Sequence, residues 1–111
     1  MNLNDKKFLT IENKSGLSSN ETIFHYFQNE NIITGTYKGG AISEGFIVGK
    51  QIETSKIELL FQCLTKEGEL KVGESKGTIS KDQNGKLKLR FDWNWLNGDL
   101  SGGTSEYIEV K

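Results

Sequence analysis

The side chains able to do chemistry are few, and they fall in short alternating runs. Tyr37 offers one hydroxyl that can donate and accept a hydrogen bond. Trp93 and Trp95, on one face of a run at period two, offer an aromatic wall for an apolar or planar ligand. They serve equally as the bulk of a packed core, since each buries ~150–250 Å². Glu44 shares parity with Ile42, Phe46 and Val48. If that face turns inward, Glu44 is a buried carboxylate that needs a cationic partner. Arg90, the only arginine, is the one to weigh, but its parity is opposite to the tryptophans and points it to water. His25, the only histidine, sits between Phe24 and Tyr26. It is a ligand contact or, without any nucleophile to serve, an exposed or hydrogen-bonded structural residue. Cys63 follows Leu59 and Phe61 at period two and reads as a small core-facing hydrophobe.

Several chemistries are excluded by what these residues lack. No Gly-x-Ser-x-Gly elbow or comparable nucleophile–base motif is present. One histidine and one cysteine cannot close a four-ligand zinc site. Asn97-Gly98-Asp99 with Ser101 lacks the distal glutamate of a calcium loop. Gly98, Gly102 and Gly103 precede no helix, so no phosphate cradle is expected. No cofactor is implied.

Composition narrows the class further. With 111 residues the chain fits one domain. Its 14 basic and 15 acidic residues leave a net charge of -1, which excludes a nucleic-acid binder that works by neutralising phosphates. No apolar segment approaches the ~20 residues that span a bilayer, and Met1–Lys7 lacks the apolar run of a signal peptide. A single cysteine permits no intrachain disulfide, which favours a reducing cytoplasm.

The elements that must position these side chains are strands. Leu87, Leu89, Phe91, Trp93 and Trp95 alternate with Lys88, Arg90, Asp92 and Asn94, the pattern of a half-buried strand. Similar runs place strands over Lys7–Asn13, Glu21–Gln28, Ile32–Lys38, Ala41–Gly49, Lys56–Thr65, Glu69–Ser80, Lys86–Trp95 and Thr104–Lys111. Asn29-Glu30-Asn31, Gly39-Gly40, Glu67-Gly68, Asn84-Gly85 and Gly102-Gly103 read as turns. Lys50–Ser55 and Leu96–Gly103 read as longer links. Glycines inside strands, among them Gly35, Gly45, Gly73 and Gly77, mark bends in a tightly coiled sheet. Eight sequential antiparallel strands form an up-and-down meander, and closing the first onto the last removes both edges. The expectation is an all-β, eight-stranded antiparallel barrel, with a two-sheet sandwich as the alternative. Two runs, Thr22–Gln28 and Lys56–Thr65, are apolar at both parities. A wall covered by a second subunit would look like that.

Ile33-Thr34-Gly35-Thr36-Tyr37 resembles the third strand of avidin-type barrels. The whole chain is similar to a group of short bacterial proteins with avidin-like or calycin-like barrels, some named N-acetylglutamate synthase. That activity needs a mixed α/β fold to hold acetyl-CoA, and this chain carries neither its helices nor its phosphate loop. In avidins the tyrosine of this strand donates a hydrogen bond to the ligand's ureido oxygen, and Tyr37 matches it. The serine that follows is replaced by Gly39. The first-strand asparagine–serine pair has no counterpart, since Asn13 and Ser15 are too close together. The resemblance therefore implies the barrel without implying biotin binding.

Two functions follow as expectations. One is a non-catalytic binder of a single small molecule at the barrel's open mouth, through Tyr37, Glu44, Trp93, Trp95 and His25. The other is a structural module with a filled barrel whose outer wall forms a homo-oligomer. Small-molecule pockets run ~300–1,000 Å³, so a lumen far below that range favours the second.

Overall fold

The computed structural model describes residues 1–13 and 16–110; Ser15, and Lys111 at the end of the expected last strand, lie outside them. The chain forms β1 (Lys6–Asn13), β2 (Ile23–Asn29), β3 (Ile32–Gly39), β4 (Ile42–Glu53), β5 (Lys56–Thr65), β6 (Leu70–Lys81), β7 (Leu87–Trp95) and β8 (Gly102–Val110). All neighbours pair antiparallel in chain order, and β8 returns to pair with β1, so the sheet is a closed barrel. No helix occurs among the described residues, and none therefore is long and apolar enough to cross a membrane. The sandwich alternative is set aside by the β1–β8 ladder, in which Lys7 pairs with Val110 and Thr10 with Tyr107.

Turn chemistry explains why the links are short. Gly39 and Gly40 both take positive φ, 115° and 62°, as the β3–β4 hairpin requires. The Asn84-Gly85 turn is held by Asp82, whose carboxylate accepts from the amides of Asn84 and Lys86. Two expectations are corrected here. The Lys50–Ser55 link is mostly strand, because β4 runs on to Glu53 past a bulge at Gln51/Glu53. Gly102-Gly103 is not a turn but the start of β8, paired with Asn94 and Trp93. A Cβ on Gly102 would stand 2.6 Å from the Trp93 carbonyl oxygen, so the close backbone approach accounts for that glycine.

Burial settles the ambiguous parities. In β2, Phe24 and Tyr26 point inward while Ile23 and Phe27 face out. In β5, Leu59 and Cys63 point inward while Leu60 and Leu64 face out. The lumen is filled along its length by Phe8, Tyr26, Ile33, Ile57, Ile79 and Leu89, then by the aromatic residues of the upper half. At the closed end Leu3 is fully buried. Its amide donates to Gln28 Oε1 at 2.9 Å, and Gln28 Nε2 in turn donates to Gln51 Oε1 at 2.6 Å. The N-terminal residues thus plug one end of the barrel, leaving the other as the only mouth seen among the described residues.

Candidate functional site

The open end gathers the β1–β2 segment, the β3–β4 and β5–β6 turns and the β7–β8 loop. Below it lies a cavity of about 60 Å³, partly open at the mouth. Its walls are aromatic. Trp93 and Trp95 meet edge to face at 5.3 Å, and Tyr37 stacks on Phe24 at 5.0 Å. Tyr107 packs edge-on against Phe24 at 4.8 Å. Leu17, between β1 and β2, lines it and packs against the core.

Polar groups meet at one side of this cavity. Asn13, at the end of β1, donates through Nδ2 to the Ser18 carbonyl at 2.8 Å and to Ser18 Oγ at 2.9 Å. Ser18 Oγ lies 3.5 Å from the Tyr107 hydroxyl. The hydroxyls of Tyr37 and Ser105 are buried and make no hydrogen bond. The Tyr37 oxygen does feel the Cys63 thiol, and Tyr107 feels Ser105, but neither contact gives the orphaned oxygen a bond of good geometry. Thr10 Oγ1 is a third orphan, in the row that pairs with Tyr107. Among the described residues no charged side chain lines the cavity. Lys71 stands outside it, its ammonium 4.6 Å from the centre of the Trp95 ring.

Burial fixes the protonation of this site. It pushes the hydroxyls of Tyr26, Tyr37 and Tyr107 above their ordinary value of 10.0. It also pushes the Cys63 thiol above 9.0, against lowering contacts from Tyr37 and Lys71. The lumen therefore holds neutral donors at physiological pH: hydroxyls, an amide and an un-ionised thiol. Such a set recognises a neutral polar group by hydrogen bonding, with flat apolar surface alongside.

Tyr37, Trp93 and Trp95 all line the cavity. Glu44 does not. A bulge between Ile42 and Glu44 shifts the register of β4, so Ile42 and Ile47 point inward while Glu44, Phe46 and Val48 lie on the outer wall. Arg90 is also outside, 3.0 Å from Glu106 rather than near Glu44. His25 is on the exterior, with Nε2 at 2.8 Å from Asp5 Oδ1 and its ring 4.3 Å from that of Phe27. Polar lining residues outside the expected set are Asn13, Ser18, Ser75, Ser105 and Tyr107. Hydrophobicity gives no guide in β8, where the inward set is Ser105, Tyr107 and Glu109 while the apolar Ile108 and Val110 lean outward. Asn13, at the end of β1, instead meets Ser18, which lies ahead of β2.

A closed eight-stranded antiparallel meander is an up-and-down β-barrel in architecture. The chain belongs to the avidin-like family: the model described as avidin-like protein matches residues 1–110. Among solved structures it is similar to apo shwanavidin in its P21 form, with a TM-score of 0.66 and 12% identity over 97% of this chain and 96% of that one. No curated protein matches the chain.

Proposed function

We propose that this barrel is a non-catalytic binder of one small neutral molecule, held in the upper lumen. The observation that carries the reading is the pair of buried hydroxyls, Tyr37 and Ser105, turned toward a cavity without a partner. An unsatisfied buried group costs about 1–3 kcal/mol, a cost that a carbonyl or hydroxyl of a ligand removes. Asn13, Ser18 and Tyr107 supply further polar contacts, and the two tryptophans supply a flat wall. The cavity as it stands holds about two waters' worth of volume, so a ligand larger than a few atoms enters as Leu17 withdraws from the mouth. Tyr37 is the hydrogen-bond donor in this reading, and Glu44 and His25 take no part. The lone cysteine suits a reducing cytoplasm.

Native mass spectrometry of protein purified gently from its source tests the proposal. The expected result is a bound mass that leaves on denaturation and is absent from Tyr37→Phe protein. An unliganded spectrum, with no tryptophan-fluorescence response to biotin or to 2-imidazolidinone, removes it.

A second reading is favoured by the cavity's size. About 60 Å³ is far below the ~300–1,000 Å³ of small-molecule pockets. A filled barrel that associates through its outer wall accords with that volume and with the exposed Phe46, Val48, Leu60 and Leu64.

A further inference from the structure

The residues ahead of β1 sit against the barrel as a bound peptide would. Met1–Asp5 belongs to no strand, since β1 begins at Lys6. Of these five side chains only Leu3 is buried, and it is fully so, within the core cluster. Asn2 and Asn4 on either side of it are exposed. One apolar anchor in a pocket, flanked by solvated residues, is how a short peptide is held by a receptor.

The barrel presents fitted polar atoms to this segment. β2 runs on past Lys6–Tyr26, its last pair with β1. There the Gln28 amide donates to Asn4 Oδ1 at 3.0 Å. Gln28 Oε1 accepts from the Leu3 amide at 2.9 Å, and Gln51 Nε2 donates to the Met1 carbonyl at 3.1 Å. Asp5 Oδ1 reaches His25 Nε2 at 2.8 Å. Both glutamines are aimed by the barrel itself. Gln28 Nε2 donates to the Glu30 carbonyl at 2.8 Å and to Gln51 Oε1 at 2.6 Å. Gln51 Nε2 also donates to the Thr54 carbonyl at 2.8 Å. The turns at Glu30 and Thr54 therefore set these side chains without help from the segment they hold. A site arranged in advance binds at a lower ordering cost.

We propose that the end of the barrel opposite the mouth is a peptide-recognition socket, and that Met1–Asp5 is its resident ligand in cis. The peptides it takes carry a leucine as anchor. An asparagine follows to meet the Gln28 amide, and an acidic residue comes next to meet His25. A segment of that kind on a partner protein takes the place of the resident one. The socket stands apart from the small-molecule reading, because Gln28, Gln51 and His25 do not line the cavity at the mouth.

Thermal melts of the full chain carrying Leu3→Ser, titrated with a capped pentapeptide of sequence Met-Asn-Leu-Asn-Asp, test the proposal. The variant is expected to melt below the wild type, its own segment having lost the anchor. Peptide at about ten times its dissociation constant raises Tm by roughly 6 °C. The same peptide with serine in place of leucine leaves Tm unchanged, and adding Gln28→Ala to the variant abolishes the rise. No rise, an equal rise with both peptides, or a rise that survives Gln28→Ala overturns the socket. Hydrogen exchange on the wild-type chain decides the matter should Leu3→Ser fail to fold. The Leu3 amide is expected to exchange by local release, faster than the amides of β7. Exchange of Leu3 only through global unfolding would make Met1–Asp5 an inseparable part of the barrel and overturns the proposal as well.

Discussion

The ring of Tyr37 lies directly over Gly45 on the neighbouring strand: a Cβ on Gly45 would stand 2.6 Å from the ring carbons. The two residues are cross-strand partners in β3 and β4. Gly45 thus gives the ring its space, and the ring in turn directs the hydroxyl into the cavity. The same device recurs where Gly77 faces Phe91, with a Cβ 2.3 Å from the ring.

Gly45→Ala is therefore an overpacking change at a position with no room. Such changes cost about 1–3 kcal/mol, which in a domain of this size lowers Tm by roughly 4–12 °C. Differential scanning calorimetry measures it. An unchanged Tm would show that the ring moves freely, and that Gly45 does not set its position.

Tyr37→Phe separates stability from binding. It deletes a buried hydroxyl that has no partner, so the unliganded protein keeps its Tm or gains up to about 1–3 kcal/mol of stability. Ligand affinity falls, since the donor is gone. Thermal melts and tryptophan-fluorescence titration read the two effects side by side. A large loss of stability in the unliganded protein would mean that the hydroxyl already has a partner.

The three tyrosines are Tyr26, Tyr37 and Tyr107, and burial raises all three above 10.0. Cys63 is raised above 9.0. The folded chain keeps these protons to higher pH than the unfolded chain does. Their contribution is complete below the ordinary values and is lost as pH rises beyond them, beginning near 9.0 with the thiol and near 10.0 with the phenols. Tyrosinate absorbance is expected to appear together with unfolding as pH is raised. Smooth titration centred near 10.0 in a chain that keeps its circular dichroism would contradict the burial.

Leu17 and Cys63 both line the cavity. The thiol is buried and protonated, so labelling by a disulfide reagent near neutral pH is slow. Leu17→Ala opens the mouth and speeds that labelling while leaving the strands intact. Equal rates in the two proteins would show that access to the lumen does not pass beneath Leu17.

Much of this barrel can be read from residue order, and the exceptions have causes. In β7 five large apolar residues alternate without interruption, and the inward face follows directly. In β4 the apolar Phe46 and Val48 face outward on Glu44's side, and only Ile42, across a bulge, points inward, which is why Glu44 was expected inside. In β8 the inward face carries a serine, a tyrosine and a glutamate, so hydrophobicity gives no guide to its parity. Asn13 and Ser18 meet through hydrogen bonds between the end of β1 and residues outside any strand, which alternation within a strand does not reach. The turn glycines at 39 and 40 were legible because positive φ is a local demand.

The ladder between β1 and β8 has a consequence for how the molecule is made. Every other pairing joins strands consecutive in the chain, but this one joins the first to the last. During synthesis the seven earlier strands can zip together one hairpin at a time, yet such a sheet carries two bare rims, on β1 and on β7. Those rims are templates for pairing with other nascent chains until β8 leaves the ribosome and fills the gap. The eighth strand is thus the one that turns a sticky ribbon into a sealed ring.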